Sequence, residues 1–232
     1  MELLKNELLK QGVELDQKQL DKFKDYASLL IETNKVMNLT TVTDEEGIQI
    51  RHFYDSLSPL FFDLIKENAN VIDVGTGAGF PGLPLKIARS DIKLTLTDSL
   101  NKRLEFLKNV TDKIDEHSQI VHARAEDLAH DKDFRERYDI CVSRAVAPLN
   151  VLCELTLPFV KPQGISIFYK GKTAEEELKE AKKALETLGA EYVETKCYFS
   201  QETPFFLIIC RKTRNTPQKY PRKAGVPKKS PL

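Results

Sequence analysis

Residues 71–82, VIDVGTGAGFPG, place four glycines within eight positions directly after an apolar run. A glycine-rich turn between a strand and a helix lets the backbone approach a ligand closely, and in doubly wound sheets such turns lie beyond the carboxyl ends of the strands, where ligands bind. The stretch matches two patterns. From Gly77 it is G-x-G-x-x-G, and from Gly75 it is Asp-Val-Gly-x-Gly-x-Gly. Both patterns predict an α/β fold with a ligand at this loop.

The chain after residue 66 alternates short apolar stretches with helical patterns, which predicts parallel βαβ units with helices on both faces of a sheet. No helix separates the last two strands, so we expect them to pair as an antiparallel hairpin at one edge. This arrangement, a seven-stranded mostly parallel sheet with a terminal hairpin, is expected of the class I (Rossmann-like) methyltransferase fold rather than of a standard dinucleotide fold. The predicted strands cover residues 70–74, 92–98, 119–126, 138–146, 164–171, 192–199 and 204–212, and the predicted helices cover 81–90, 99–114, 150–160 and 174–189.

Residues 1–65 are predicted to form an N-terminal helical subdomain ahead of a core at 66–212 and a tail at 213–232. Residues 33–44 interrupt the helical pattern, and a further helix is expected after Thr43 or Asp44, either of which can cap its first turn. Apolar residues recur at helical spacing before the interruption, as one buried helix face requires. These residues are Leu15, Leu20, Phe23, Tyr26, Ala27, Leu30 and Ile31.

The composition, 41% hydrophobic and 30% charged over 232 residues, is that of a globular protein with a sizeable core. No apolar run reaches the length of a membrane span, and no secretory signal is apparent, so we expect a cytoplasmic protein with no membrane contact. The histidines show no metal-binding spacing, so no metal is expected. The four cysteines are expected to be buried in a reducing compartment. They are Cys141, Cys153, Cys197 and Cys210.

The formal net charge of zero conceals a strong asymmetry. Residues 211–232 contain eight basic residues and no acid, which leaves 27 basic against 35 acidic residues in the rest of the chain. Prolines at 217, 221, 227 and 231 exclude a regular helix or a central strand from this segment. Two interpretations stay open here: a solvated tail, and a flexible cationic segment that binds RNA phosphates.

The ligand of the glycine loop is either a dinucleotide or S-adenosylmethionine, because both contain adenosine. A dinucleotide places a pyrophosphate at the helix N-terminus. S-adenosylmethionine instead carries a sulfonium and an ammonium group, which a nearby acid favours. Asp73, two residues before the loop, therefore favours S-adenosylmethionine. Asp98 at the end of the second strand suits the ribose of either cofactor, and Glu126 follows the third strand, where adenine contacts are usual.

Several stretches together resemble the RsmG (GidB) family. They are DVGTGAGFPGLPLKIA, KRLEFL, RAE, SRAVAPL, YKG and the terminal YPRKAGVPKKSPL. The resemblance implies transfer of a methyl group from S-adenosylmethionine to N7 of a guanine in the 530 loop of 16S ribosomal RNA, and it favours RNA binding by the tail. It also implies which residues line the cofactor site. With the loop glycines Gly77 and Gly79 and the acid Asp73, these are Gly75, Phe80, Thr97, Asp98, Ser99, Ala125, Glu126 and Arg144.

Methylation of guanine N7 needs no base, because N7 carries a free lone pair, so catalysis is expected to act by orientation. Arg144, Lys170 and His52 are the catalytic candidates. Arg144 is expected to position cofactor or guanine, or else to form a salt bridge to Asp73 or Glu126. Lys170 points toward the cleft or is a surface lysine. Arg51, His52 and Asp55 share a helix face that covers the site or packs the N-terminal helices on the core.

Motifs of other methylases are missing after the fourth strand. SRAVAPL stands where an Asp/Asn-Pro-Pro-Tyr/Phe motif would serve exocyclic amines, and Cys141 is better explained as a core residue than as a nucleophile. Three rival hypotheses stay open: an NAD-binding oxidoreductase, an RNA-binding or assembly factor with a vestigial cofactor fold, and a methyltransferase for small molecules. We expect a monomer whose partner is 16S rRNA, as naked RNA, in the 30S particle or in an assembly intermediate.

Overall fold

The computed structural model describes residues 1–200 and 202–232. Its described part forms one seven-stranded sheet of order β3-β2-β1-β4-β5-β7-β6. The first five strands run parallel, and β7 is antiparallel to both β5 and β6, which confirms the predicted fold and its terminal hairpin. The strands are β1 (Asn70–Val74), β2 (Lys93–Asp98), β3 (Gln119–His122), β4 (Tyr138–Arg144), β5 (Val160–Lys170), β6 (Ala190–Ser200) and β7 (Thr203–Lys212).

The strand order reverses direction at β1, whose neighbours are β2 on one side and β4 on the other. Ligands of doubly wound sheets bind at such a switch point, beyond the carboxyl ends of the strands. The strand at this point is apolar on both faces: Val71, Ile72 and Val74 are each at most 2% exposed. A strand with both faces covered by helices requires this composition.

Helices cover both faces of the sheet and form the N-terminal part of the chain. The α-helices are α1 (Glu2–Lys10), α2 (Gln17–Met37), α3 (Glu45–Gly47), α4 (Asp55–Leu57), α5 (Gly82–Ala88), α6 (Asn101–Lys113), α7 (Ala125–Leu128), α8 (Leu149–Thr156), α9 (Ala174–Leu188) and α10 (Val226–Lys229). A π-helical stretch (Ile48–Tyr54) joins α3 to α4, and 3₁₀ turns follow at Ser58–Phe62 and Leu157–Phe159.

Helix α3 begins directly after Asp44, one of the two residues predicted to cap it. The Asp44 carboxylate accepts a hydrogen bond from the amide of Gly47 at 2.6 Å. The predicted interruption at residues 33–44 begins too early, because α2 continues to Met37 and ends at Asn38, whose φ is 50°. The amide side chain of Asn34 then fixes the following loop through two 2.9 Å hydrogen bonds to the backbone of Thr40. The predicted third strand is four residues too long, since Ala125–Leu128 is a helical turn.

The N-terminal helices share their hydrophobic core with the methyltransferase-like part. One cluster of buried side chains contains Leu4, Phe23 and Phe53 together with Leu83 and Leu107 from α5 and α6. The boundary at residue 65 stays a prediction, and packing across it is continuous. In the described part of the chain, none of the helices is long and apolar enough to cross a membrane.

One sequence expectation about the burial of the cysteines differs from the structure. Cys197 is exposed, whereas Cys141, Cys153 and Cys210 are buried as expected. The reason is that Cys197 lies on the edge strand β6, where side chains alternate between the two faces and the neighbouring Tyr198 takes the buried one.

The C-terminal segment is a folded part of the domain and not a free tail. Tyr220 and Pro221 are buried, and the guanidinium of Arg222 forms a fork with the carboxylate of Glu154, with Nε–Oε1 at 2.9 Å and Nη2–Oε2 at 2.6 Å. The short helix α10 contains Pro227 in its first turn, where the missing N–H of proline breaks no helical hydrogen bond. The expectation of a flexible segment is therefore wrong.

Candidate functional site

The glycine loop between β1 and α5 adopts the predicted tight turn. Gly75, Gly77 and Gly79 have φ values of +73°, +60° and +103°, a region that L-residues rarely adopt. The amides of Gly75 and Thr76 both donate to the carbonyl of Thr97, at 2.9 and 3.0 Å. The loop is therefore held against the end of β2, with its backbone facing the switch point of the sheet.

Asp73 lies beneath this loop and is fully buried. Its Oδ2 accepts hydrogen bonds from the hydroxyl of Thr76 at 2.7 Å and the amide of Gly82 at 2.8 Å. Burial raises the pKa of Asp73 to about 7, although these two hydrogen bonds oppose the rise. The side chain thus holds the loop from below, and its role as a cofactor ligand stays a prediction.

Asp98 ends β2 on the opposite side of the loop. Its Oδ2 accepts from the amide of Gly77 at 3.0 Å and from Nη1 of Arg103 at 3.2 Å, and its Oδ1 accepts from the amide of Leu100 at 2.9 Å. The carboxylate therefore ties the loop to the start of α6 while it faces the adjoining cavity.

That cavity, named the loop cavity here, has a volume of about 380 Å³. It brings together most of the residues predicted to bind cofactor, namely Gly75, Thr97, Asp98, Ser99, Ala125 and Glu126. Sequence reasoning missed others on its wall, Arg103, Ala123, Arg124, Val146 and Leu155. For Ala123, Arg124 and Val146, which follow β3 and β4, the available signal was that chain segments after parallel strands converge at one edge of a sheet. Arg103 lies in α6 and Leu155 in α8, and only the packing of these helices brings them to the cavity.

Two polar atoms near the glycine loop, one of them on a residue that lines the loop cavity, test whether an adenosine-containing cofactor fits. Oδ1 of Asp73 and Oγ1 of Thr97 are buried and have no hydrogen-bond partner among the described residues. Buried polar atoms normally have a partner. Thr97 lines the loop cavity. A ligand with a hydroxyl or amine group would therefore supply the missing hydrogen-bond partner on this wall.

Phe80 packs away from the loop cavity, in the seam between the core and the N-terminal helices. Its ring stacks on Tyr26, with centroids 5.4 Å apart, and on His52, with centroids 4.5 Å apart. The Tyr26 hydroxyl in turn donates to the carbonyl of Ala78 in the glycine loop. Phe80 therefore connects α2 and the π-helical stretch to the loop, and contact with a cofactor stays a prediction.

His52 is a neutral imidazole in this arrangement. Burial and the nearby Arg144 guanidinium lower its pKa to about 3. Nδ1 lies 3.3 Å from Nη2 of Arg144, and Nε2 lies 2.7 Å from the hydroxyl of Thr40. Because a guanidinium only donates, these partners assign the proton of His52 to Nε2 and make Nδ1 an acceptor. The histidine orients Arg144 and does not exchange a proton near neutral pH.

Arg144, at the carboxyl end of β4, pairs with Asp55 through Nη1–Oδ2 at 2.5 Å. The alternative interpretation of Arg144, a salt bridge to Asp73 or Glu126, is therefore wrong. The π-helical stretch presents the carbonyl of Arg51 and the ring of His52 to the guanidinium, and the first residue of α4, Asp55, presents its carboxylate. The side chains of His52 and Asp55 and the backbone carbonyl of Arg51 therefore hold Arg144, and a shared face for the side chains of all three residues stays a prediction.

A second cavity, named the arginine cavity here, has a volume of about 470 Å³ and lies next to the loop cavity. Ala145 and Val146 line both cavities. Lys170 lies on its wall, where Nζ donates to Oε2 of Glu177 at 2.7 Å and to the carbonyl of Ala147 at 2.9 Å. The rest of the wall of the arginine cavity includes Asp55, Arg144, Pro148, Tyr169, Gly171 and Phe205.

The site thus consists of two adjoining cavities with different chemistry. The loop cavity offers backbone and oxygen acceptors, and the arginine cavity offers a fixed guanidinium beside aromatic rings. Within residues 1–200 and 202–232, no group of three or more His, Cys, Asp or Glu side chains is placed to hold a metal ion. Two ligands, one in each cavity, would meet at Ala145 and Val146.

Comparisons with known proteins agree on one family. A family profile described as rRNA small subunit methyltransferase G matches residues 19–205. The ribosomal RNA small subunit methyltransferase G of Alkaliphilus metalliredigens is 46% identical over 99% of this chain and 98% of its own length. That of Lysinibacillus sphaericus is 45% identical over 97% of this chain and 96% of its own length.

Two solved structures resemble this one at low sequence identity. A methyltransferase from Pyrococcus furiosus superposes with a TM-score of 0.55 at 15% identity and covers 82% of this chain and 98% of its own. TYW2 of M. jannaschii, solved in complex with AdoMet, superposes with a TM-score of 0.55 at 13% identity and covers 74% of this chain and 77% of its own. These structural similarities support the fold described above.

Proposed function

The chain belongs to the rRNA small subunit methyltransferase G family, and we propose that it transfers the methyl group of S-adenosylmethionine to N7 of a guanine in the 530 loop of 16S ribosomal RNA. The observation that carries this proposal is the junction of the loop cavity and the arginine cavity at Ala145 and Val146. Methyl transfer needs a donor and an acceptor held on either side of one short gap.

The loop cavity is proposed to hold the cofactor. The carboxylate of Asp98 faces the expected ribose, and the unpartnered Oγ1 of Thr97 lies on the same wall. Gly75 lies on the same wall, where the absence of a side chain makes room for Val146, because a Cβ there would lie 2.5 Å from Cγ2 of Val146. When bound, S-adenosylmethionine supplies a methyl group on a sulfonium, which passes to a nucleophilic lone pair as the neutral thioether leaves.

The arginine cavity is proposed to hold the guanine. Asp55, His52 and the carbonyl of Arg51 fix the guanidinium of Arg144, and its remaining N–H groups are donors for guanine O6. Since N7 keeps its lone pair for the methyl group, Arg144 acts on O6 alone. Tyr169 and Phe205 provide apolar wall for the base.

The two carboxylates on this wall are both paired. Asp55 binds Arg144 and Glu177 binds Lys170, so the wall carries no net negative charge toward the purine ring, which becomes cationic on methylation at N7. The proposed part of these pairs is therefore to orient the base. His52, with a pKa of about 3, and Lys170, paired to Glu177, act in this scheme as positioning groups.

RNA phosphates are proposed to bind exposed basic side chains around the two cavities. Arg51 and Lys172 flank the arginine cavity, and Arg124 lines the loop cavity. Further along the rim, Lys223, Lys228 and Lys229 are exposed on the C-terminal segment. None of these six makes an ion pair with another described residue. Their charges are therefore available to a polyanion.

The test supplies the protein with radiolabelled S-adenosylmethionine and 30S particles from cells that lack this activity. Label in 16S rRNA is the expected result, with naked 16S rRNA and 50S particles as parallel substrates. Absence of label from every ribosomal RNA would contradict the proposal. Binding of NAD without binding of S-adenosylmethionine would favour the oxidoreductase alternative.

A further inference from the structure

The C-terminal strap, defined here as residues 220–230, touches the loop cavity through Glu126. The backbone amide of Gly225 donates to Oε1 of Glu126 at 3.0 Å. Glu126 lines the loop cavity, and its Oε2 has no hydrogen-bond partner among the described residues. The strap thus fixes one oxygen of this carboxylate and leaves the other for a ligand.

The strap is itself firmly anchored to the domain. Arg222 binds the carboxylate of Glu154, which is only 1% exposed, through its backbone amide, its Nε and its Nη2. Nη2 also donates to the carbonyl of Ser230 at 2.8 Å, which closes the strap on itself. Nε2 of His130 donates to the carbonyl of Pro221 at 2.8 Å. Guanidinium–carboxylate forks of this kind are strong and directional, so the strap holds a defined position.

The backbone of Gly225 makes the contact possible. Its φ is +81°, the left-handed region that glycine adopts without penalty, and it immediately precedes α10. This conformation turns the chain so that the amide faces Glu126 before the helix begins. A Cβ at Gly225 would meet no atom within 4 Å, so the backbone angle and not the available space requires glycine.

We propose that the C-terminal strap is a positioning element of the cofactor site: Arg222 docks it on Glu154, and Gly225 orients Glu126 so that the second carboxylate oxygen accepts a hydrogen bond from the adenosine part of S-adenosylmethionine. The inference rests on the proposed function, because it takes the loop cavity as the cofactor site. It adds that Gly225, 99 positions away from Glu126 in the chain, sets the geometry of that site, and that the pair of Arg222 and Glu154 holds Gly225 in place.

A double-mutant cycle tests the inference. The dissociation constant of S-adenosylhomocysteine is measured by calorimetry for the wild type, Arg222→Lys, Glu126→Ala and the double variant. Lysine keeps a charge beside the buried Glu154 but loses the fork. We expect each single variant to weaken binding about three- to tenfold, as loss of one hydrogen bond does, and the double variant to bind no more weakly than Glu126→Ala alone.

A second pair of variants covers the case in which Arg222→Lys also disturbs folding. Gly225→Ala strains the backbone at the contact, and Gly12→Ala, with a φ of +75° and equally open space, is its control far from the cavities. Arg89→Lys is the control for Arg222→Lys, because Arg89 makes the same kind of fork with Asp91 near the amino ends of β1 and β2, at the end of the sheet opposite to the loop cavity. Both controls should leave the dissociation constant unchanged.

The outcomes separate the two proposals. If the wild type fails to bind S-adenosylhomocysteine, the proposed function is wrong and the inference falls with it. If the wild type binds but Glu126→Ala does not weaken binding, or if Arg222→Lys weakens it equally with and without Glu126, the inference alone is overturned. In that case the strap serves the stability of the domain only.

Discussion

Nη1 of Arg144 lies 2.5 Å from Oδ2 of Asp55, and the two residues are 89 positions apart in the chain. Their side chains are only 15% and 8% exposed. The second oxygen of Asp55 accepts from the hydroxyl of Tyr198, so the carboxylate joins the N-terminal helical part, the end of β4 and the terminal hairpin. The N-terminal helices therefore orient the arginine proposed to hold the guanine.

Asp55→Asn is expected to lower the methyl-transfer rate more than it affects cofactor binding. The neutral amide no longer balances the buried guanidinium, and misplacement of an orienting group by about 1 Å costs on the order of 10²-fold in rate. Single-turnover kinetics on 30S particles measure the first effect, and calorimetry with S-adenosylhomocysteine measures the second.

Tyr198→Phe is the matched control for Asp55→Asn, since it removes one donor to Asp55 and keeps the ion pair. Its effect on the rate should be the smaller of the two. A tenfold loss of cofactor affinity in Asp55→Asn with an unchanged rate constant would contradict the assignment of the arginine cavity to the acceptor.

His52→Gln should change how stability depends on pH. The folded protein lowers the pKa of His52 from 6.5 to about 3, so the unfolded chain binds this proton more tightly. The stabilisation from a neutral His52 is therefore complete above pH 6.5 and is lost as the pH falls toward 3. Between pH 6 and pH 5, the free energy of unfolding of the wild type should fall relative to the variant by about 1 kcal/mol.

Urea denaturation at a series of pH values provides this measurement. Parallel stability curves for wild type and His52→Gln over that interval would mean that His52 titrates normally in the folded protein, and that it does not act as the neutral acceptor for Arg144.

Gly75→Ala should destabilise the protein more than Gly77→Ala. Both glycines have a positive φ, which costs an L-residue about 1–2 kcal/mol. A Cβ at Gly75 would also lie 2.5 Å from Cγ2 of Val146, whereas a Cβ at Gly77 meets nothing within 4 Å. We expect an additional loss of about 1–3 kcal/mol for Gly75→Ala, as overpacking generally causes.

The double variant Gly75→Ala/Val146→Ala isolates the clash. Removal of the valine methyl groups should recover most of the additional loss, measured as the free energy of unfolding in urea. Strictly additive effects of the two substitutions would show that Val146 does not close the space above Gly75.

Replacement of Lys223, Lys228 and Lys229 by glutamine should reduce the salt dependence of RNA binding. If all three contact phosphates of a single strand, the slope of log K against log salt should fall by about 2. Replacement of Lys179, Lys182 and Lys183 on α9 is the control, because it removes the same exposed charge from a helix face away from the strap. Equal slopes for the two triple variants would exclude a specific role for the strap lysines.

Local sequence signals predicted most of the fold. The apolar stretch of β1, its glycines and the Asp44 cap each act within a few residues, so their consequences can be deduced from the sequence. Alternation of strands and helices then implied a parallel sheet, and the two strands without a helix between them formed the expected hairpin. The residues at the ends of these strands, such as Asp98 and Ala125, reached the predicted cavity.

Pairings between distant residues account for what the sequence did not predict. Arg144 has several acids as potential partners, and only the position of α4 directly after the π-helical stretch decides in favour of Asp55. The proline-rich C-terminal segment has the composition of a flexible tail, but the buried Glu154 binds Arg222 and orders it. Buried charge is rare unless it is paired, so such a partner is visible only once burial is known.

Mapping of the methylated atom tests the central claim most directly. 16S rRNA is isolated from 30S particles that were methylated in vitro by this protein, reduced with borohydride and treated with aniline, which cleaves the chain at N7-methylguanosine. We predict one new cleavage within the 530 loop, which disappears when S-adenosylmethionine is left out. Label that stays with intact 16S rRNA, or cleavage at a guanine elsewhere, would contradict the account.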